Sequence, residues 1–388
     1  MTEKTNTPEL RFPEFREGWK EFILNDVSIK KSKKNKNNLY NETFTNSAEY
    51  GIVSQKEYFD KEISNKKNLN NYYIVEPNDF VYNPRISNLA PVGPINRNKL
   101  NRTGVMSPLY TVFSTKLSIK SFLEYYFKTS KWHRFMKLNG DSGARSDRFT
   151  IKQSLFIKMP IFLPSNQEQE KIGDFFSKLD HQIELEEEKL ELLEQQKRGY
   201  MQKIFSQQLK FKDENGQYYT VWEAEKLGKL TDITTGSLDA NAMVPNGKYK
   251  FFTCARETYE IDTYAFDTEA LLISGNGANV GYIHYYHGKF NAYQRTYVLN
   301  NFKANITYLK YYLEKYLLRR IYSEKRDGNT PYITRSTLYD MEIMIPSLEE
   351  QEKIGNFFNK IDNLIQLQTD KIEVLKQRKK GLLQKMFV

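Results

Sequence analysis

The sequence predicts an α+β protein, with two α/β units in pseudo-two-fold arrangement separated by two long antiparallel coiled-coil helices. Three observations carry the two-fold layout and the helices: a segment of about 42 residues that occurs twice, a heptad-like apolar pattern inside both copies, and two stretches of low mutual similarity between them. The resulting division is unit one at 1–163, helix one at 164–210, unit two at 211–345 and helix two at 346–388.

The repeat comes first, because overlooking one misreads a whole fold. Pro164 to Phe205 and Pro346 to Phe387 align without a gap, and about 23 of 42 positions are identical. Weaker similarity extends upstream. Met159–Pro164 matches Met341–Pro346, Phe122–Phe127 resembles Tyr308–Leu313, and Ser107–Val112 sits where Gln294–Val298 sits. Each half opens on a tryptophan with leucine five residues on, Trp19 with Leu24 and Trp222 with Leu227.

Inside the repeat, Ile172, Phe176, Leu179 and Ile183 fall at alternating three- and four-residue steps, as do Ile354, Phe358, Ile361 and Ile365. These eight positions are expected to carry the helix–helix and partner contacts. Polar residues interrupt both seams at matching places, Glu186 with Gln368 and Lys197 with Lys379, which reads as register marking in a coiled-coil pair. The alternative is two amphipathic helices, each packed on its own unit. Ser165 and Ser347 stand where helix N-caps belong. About 40 residues at about 1.5 Å each give helices of about 60 Å. Symmetry between two equal copies then makes them antiparallel, with one unit at each end.

A formal charge of +10 and a pI near 9.1 favour a polyanionic partner. The charge is uneven: about +11 over 1–163, −3 over 164–210, 0 over 211–345 and +2 over 346–388. Lys30, Lys31, Lys33, Lys34 and Lys36 form one run in the first unit, either a landing surface for phosphates or a solvated loop. A single cysteine, Cys254, excludes an internal disulfide and a multi-cysteine metal site. A polar start and the lack of long apolar runs lead us to expect a cytoplasmic chain without membrane contact.

Catalytic signatures are missing. Tyr82-Asn83-Pro84-Arg85 lacks the second proline and aromatic that an adenine methyltransferase uses to hold a flipped base. Gly275-Asn276-Gly277 reads as a tight loop rather than a cofactor cradle, and no phosphate-binding Gly-x4-Gly-Lys run exists. His133, His181, His284 and His287 show no zinc spacing, and the last two read as packing residues.

The unit–helix–unit–helix layout resembles the specificity subunit of type I restriction–modification enzymes. Pro164-Ser-Asn-Gln-Glu-Gln-Glu-Lys-Ile172 and Pro346-Ser-Leu-Glu-Glu-Gln-Glu-Lys-Ile354 carry the resemblance, together with Pro8–Phe15 before Trp19. It covers essentially the whole chain. It implies that each unit is a target recognition domain for one half of a split, asymmetric sequence in double-stranded DNA. It also implies that the helices dock two modification (methyltransferase) subunits using AdoMet, and that two restriction (translocase and nuclease) subunits add ATP- and Mg²⁺-dependent cleavage. The chain itself would bind no cofactor or metal and catalyse nothing. A protein-binding scaffold is the competing class.

Base edges are read best by arginine on guanine and by asparagine or glutamine on adenine. Loops flanking strands are the natural carriers. That selects Arg85, Asn88, Arg145 and Arg148 in the first unit, and Asn276, Asn279, Gln294, Arg295, Thr330 and Arg335 in the second. The later segments align across the repeat through a shared Ile-x-x-Ser, Ile151 to Ser154 and Ile333 to Ser336.

If the helices set the distance between half-sites, one heptad added to both lengthens them by about 10 Å, close to three base pairs. The spacer of the preferred target, read by selecting bound duplexes from a random pool, should grow by that amount. An unchanged spacer refutes the helices as the ruler.

Overall fold

A computed structural model describes residues 6–59, 66–118, 120–142, 147–219, 221–324 and 330–388. Two compact units emerge, and neither is a continuous stretch of chain. One comprises Met1–Glu186 with Lys371–Val388, the other Glu187–Asp370. The long helices, Asn166–Phe205 and Leu348–Lys385, each begin in one unit and finish in the other. Among the described residues no helix is long and apolar enough to cross a membrane.

The two units share a topology despite their dissimilar sequences. In unit 1 the strand after Trp19, Lys20–Ile23, pairs antiparallel with Pro160–Leu163. In unit 2 the strand after Trp222, Glu223–Lys226, pairs antiparallel with Glu342–Ile345. Unit 1 then builds a four-stranded antiparallel sheet in the order Ser28–Lys31, Thr111–Thr115, Phe80–Tyr82, Ile95–Arg97. Unit 2 repeats that order with Asp232–Thr235, Thr296–Asn300, Phe266–Ser274 and Ile283–Ala292. Its hairpin Tyr249–Phe252 and Tyr259–Ile261 continues the sheet through one parallel pairing. The corresponding hairpin of unit 1, Phe44–Ser47 with Gly51–Ser54, stands as a separate two-stranded sheet.

Each unit buries its tryptophan against aromatic residues drawn from both long helices. In unit 1 Trp19 packs on Phe122 and on Phe387, the latter just beyond the second long helix, and Phe387 stacks on Phe176 of the first helix at 6.1 Å. In unit 2 Trp222 packs on Tyr308 and on Phe205, which ends the first long helix and stacks on Phe358 of the second at 5.9 Å. Both units hold the helix ends antiparallel. Asp180 meets Lys379 and Glu186 meets Lys371, while Lys197 meets Asp362 and Tyr200 meets Phe357, so numbers rise on one helix as they fall on the other.

The seam therefore packs differently from a simple two-stranded coil. Ile172, Phe176, Ile354 and Phe358 are fully buried in the cores of their own units, and Ile183 is buried too. Leu179, Ile361 and Ile365 are half-buried. The deepest of these positions are filled by the protein's own aromatic residues, Tyr125 on Phe176 and Tyr311 on Phe358, which corrects the expectation that they face a partner protein. Their burial is what the apolar periodicity encoded, since a stripe at that spacing is satisfied by any apolar neighbour.

The polar interruptions do mark register. Lys379 pairs with Asp180, which also accepts from Tyr125 Oη at 2.9 Å. Lys197 pairs with Asp362 at 2.7 Å, which accepts from Tyr311 Oη at 2.7 Å. Burial pushes both carboxyls up, but the neighbouring ammonium groups outweigh it and hold Asp180 and Asp362 below the usual carboxylate range. In the unfolded chain they titrate normally, so their stabilisation is complete above about pH 5 and is lost as pH falls through about 4 and below. The urea midpoint should follow that course, and Asp180→Asn with Asp362→Asn should reduce the acid-induced fall. An undiminished fall in the double variant would remove these pairs as its cause.

One asymmetry separates the two tryptophans. Trp222 Nε1 donates to Glu350 Oε2 at 3.1 Å. The repeat counterpart of Glu350 is Glu168, and it is gripped instead by Arg11 through Nε and Nη2 at 2.7 and 2.8 Å. Trp19 Nε1 is left buried without a partner. Replacing Trp222 by phenylalanine strands a buried carboxylate, whereas the same change at Trp19 removes an unpaired donor. The first should cost about 1–3 kcal/mol more than the second in chemical denaturation. Equal losses would contradict this assignment.

Candidate nucleic-acid interface

Sheet edges and loop bridges position the exposed polar side chains of unit 1. Strand Phe80–Tyr82 runs out into Asn83-Pro84-Arg85, and Asn83 turns the chain by accepting from the Arg85 amide at 2.9 Å through Oδ1. Its Nδ2 donates to the carbonyl of Asn46 at 2.8 Å, on the neighbouring hairpin. Buried Asn46 in turn donates to the Val81 carbonyl and accepts from Asn96 Nδ2, both at 2.7 Å. Gly93, with φ +82°, passes so close that a Cβ would run into the Asn83 carbonyl. The Arg85 loop is thus fixed from beneath.

From above it is fixed by a second segment. Phe149 N donates to Pro84 O at 2.7 Å and Ile86 N to Asp147 O at 3.1 Å, so Arg85 and Arg148 bridge antiparallel. Both side chains are exposed. They border a cleft of about 690 Å³ shared with Asn46, Tyr58, Asn83 and Tyr110. Arg148 also lines a smaller cleft with Thr150 and Gln153. Asn88 is exposed in the adjoining Ser87–Ala90 turn. Arg145 lies outside the described residues.

Unit 2 makes the equivalent bridge from different residues. Strand Phe266–Ser274 leads into Gly275, whose N donates to Arg295 O at 2.9 Å and whose carbonyl accepts from Ile333 N at 2.8 Å. A Cβ on Gly275 would run into that same Arg295 carbonyl, so Gly275-Asn276-Gly277 is a tight structural loop, as its sequence suggested. Asn276 bridges Tyr332 antiparallel, and Tyr297 Oη donates to Ile333 O at 3.0 Å. These bonds bring Asn276, Arg295 and Arg335 into one group of loops, with Arg295 and Arg335 exposed. Gln294 Nε2 donates to Asp239 at 3.0 Å, and Thr330 is exposed near the start of the last segment. Asn279 is committed internally, donating to Cys254 O at 3.1 Å.

The bridges also adjust the alignment across the repeat. Phe149 of unit 1 takes the bonding role that Ile333 takes in unit 2, with both side chains buried, while Ile151 belongs to a short pairing of Thr150–Ile151 with Gly140–Asp141. The lysine run is likewise modified: Lys31 is drawn inward by Glu76 at 2.6 Å, while Lys30, Lys33, Lys34 and Lys36 remain exposed. His284 packs against Phe252 and Tyr282, but His287 is exposed on the strand rather than packed.

Sequence reasoning missed the asparagine array and the exposed aromatic group Tyr50, Tyr58 and Phe59 beside the unit 1 cleft. The sequence offers Asn46 and Asn83 only as isolated amides. Their mutual contact depends on a pairing 37 residues apart, which no local pattern encodes.

Fold and loops together define a duplicated binding protein with one exposed polar loop group per unit. The family of type I restriction modification DNA specificity domains matches the chain twice, over residues 16–195 and 220–377, and the chain belongs to that family. It is 40% identical over 144 residues to the type I restriction enzyme EcoDI specificity subunit of Escherichia coli, covering 37% of this chain and 31% of that relative. It is 24% identical over 315 residues to the MjaVIII specificity subunit of Methanocaldococcus jannaschii, covering 73% of each. In fold it matches the crystal structure of a type I restriction–modification S subunit from M. genitalium with a TM-score of 0.62 at 15% identity, over 98% of this chain and 99% of the other.

Replacing Asn83 by alanine removes both the turn bond to Arg85 and the tie to the hairpin. Amide exchange of Arg85 to Ala90 should speed up, with a loss of about 1 kcal/mol in stability. Unchanged exchange would mean that the Arg148 segment alone holds the loop.

Proposed function

We propose that this chain is the non-catalytic, sequence-reading subunit of a type I restriction–modification assembly. Each unit reads one half of a split, asymmetric duplex target. The observation that supports this best is the pair of matching bridges, Arg85 with Arg148 and Asn276 with Tyr332. They bring exposed Arg85 and Arg148, and half-buried Asn276 beside exposed Tyr332, to the same topological place in two units of dissimilar sequence. Among the described residues, no carboxylate forms an ion pair with Arg85, Arg295 or Arg335, so these guanidinium groups remain available for a polyanion.

In this reading two modification subunits dock on the repeated helical region and bring AdoMet for adenine methylation. Two restriction subunits bring ATP- and Mg²⁺-dependent cleavage. The duplication supports such an arrangement, because near-identical segments suit identical partners while divergent loops suit different half-sites. The chemistry then belongs to the recruited subunits, in a cytoplasmic complex.

The test is to assemble the chain with type I modification subunits and select bound duplexes from a random pool. A two-part motif should emerge. Arg85→Ala should relax only one half of it, by about 1–3 kcal/mol of discrimination at the affected base pair. A pool that leaves the selection unenriched would refute the reading and favour a protein-binding scaffold.

A further inference from the structure

Unit 2 holds a further exposed arginine, Arg256, that the bridge does not account for. Its hairpin strands Tyr249–Phe252 and Tyr259–Ile261 are joined by a loop carrying Cys254, Ala255 and Arg256. That loop is pinned to the loop that bears Asn276 and to the strand that follows it, Ile283–Ala292. Asn279 Nδ2 donates to the Cys254 carbonyl at 3.1 Å, and His284 Nε2 donates to the Ala255 carbonyl at 3.0 Å. Cys254 Sγ reaches the Arg295 carbonyl at 3.4 Å, tying the loop to the segment of another candidate reader.

With both preceding carbonyls held, the Arg256 guanidinium lies over the ring of Tyr282 at 5.4 Å. Tyr282 is itself set edge-on to His284 at 4.8 Å, and His284 edge-on to Phe252 at 5.3 Å. The stack therefore runs from the buried core out to an exposed cation. Among the described residues no carboxylate pairs with Arg256. A guanidinium held over an aromatic face keeps an N–H fork free toward solvent, which suits bidentate recognition of a flat acceptor edge. A phosphate accepts the same fork bidentately, so the salt dependence of binding is what separates the two ligands.

We propose that Arg256 is a base-reading residue of unit 2, directed at the O6/N7 edge of guanine in the major groove, with Tyr282 as its platform and His284 and Asn279 as positioning residues for its loop. This rests on the DNA-reading function proposed above. The N7 and O6 acceptors of guanine match the two outer donors of the fork, whereas adenine presents a donor at the second position.

The test uses the assembled complex and selection from a random duplex pool, with wild type, Arg256→Ala, Arg256→Lys, His284→Ala and His284→Gln side by side. Arg256→Ala and Arg256→Lys should each lose about tenfold or more of the preference for one guanine in a single half of the motif. The other half and the salt dependence of binding should stay as in wild type. His284→Ala should blur that same position, and His284→Gln, which keeps a donor for the Ala255 carbonyl, should restore it. A uniform weakening with a salt slope shallower by about one identifies a phosphate contact and overturns the proposal. A motif left intact by Arg256→Ala overturns it as well, without touching the DNA-reading function. A wild-type complex that selects no motif overturns both.

Discussion

Two phenylalanine stacks, Phe387 on Phe176 and Phe205 on Phe358, determine how this chain folds. Each brings the end of one long helix onto the beginning of the other, inside a core that also contains the unit's tryptophan. All four rings are buried, and an aromatic side chain of that size accounts for several kcal/mol when lost from a core. Neither unit can close without both helices. The antiparallel course follows from this, and so does the composition of unit 1 from two distant parts of the sequence. Leu10 N donates to Lys385 O in unit 1 as Leu209 N donates to Lys203 O in unit 2, so the N-terminal segment docks where the other unit has continuous chain.

Around those stacks the charged pairs select register rather than supply most of the stability. Asp180 with Lys379 and Asp362 with Lys197 are largely buried, each backed by a tyrosine hydroxyl. A one-turn slip would leave four half-buried charges unpaired, a penalty larger than the net gain of forming the pairs. The apolar stripe alone tolerates such a slip, because one leucine or isoleucine replaces another at little cost. Apolar closure and ionic register are therefore separate constraints met by the same two helices.

How much of this was legible in the sequence depended on the range of the interactions involved. The long helices, their polar interruptions and the paired tryptophans were readable because each is a local pattern present twice. The course of the seam into the unit cores was not, since an apolar stripe does not specify which apolar surface covers it. The loops show the same division. Arg85, Arg148, Arg295 and Arg335 stood out by residue type and proved exposed, while Asn276 is half-buried. Asn279 has the same chemistry but is committed to the Cys254 carbonyl, and Arg256 escaped notice because its platform, Tyr282, comes from a separate segment just before strand Ile283–Ala292. Lys31 sits in a basic run, yet its partner Glu76 is 45 residues away.

The loops also explain how two units can keep one topology while their exposed residues diverge. What joins the loop segments is backbone: Phe149 N to Pro84 O, Ile333 N to Gly275 O, Gly275 N to Arg295 O. Such bonds are indifferent to the side chains they carry, so Arg85 or Asn276 can change without removing the bond beside it. The supporting positions lack that freedom. Gly93 and Gly275 leave no room for a Cβ, and the Asn46–Asn83–Asn96 array satisfies buried carbonyls that would otherwise go unpaired. Specificity can therefore vary at the exposed positions while selection on the fold acts on the layer beneath. In unit 2 that layer includes His284, which holds the Ala255 carbonyl, and Tyr282, whose ring lies beneath the Arg256 guanidinium.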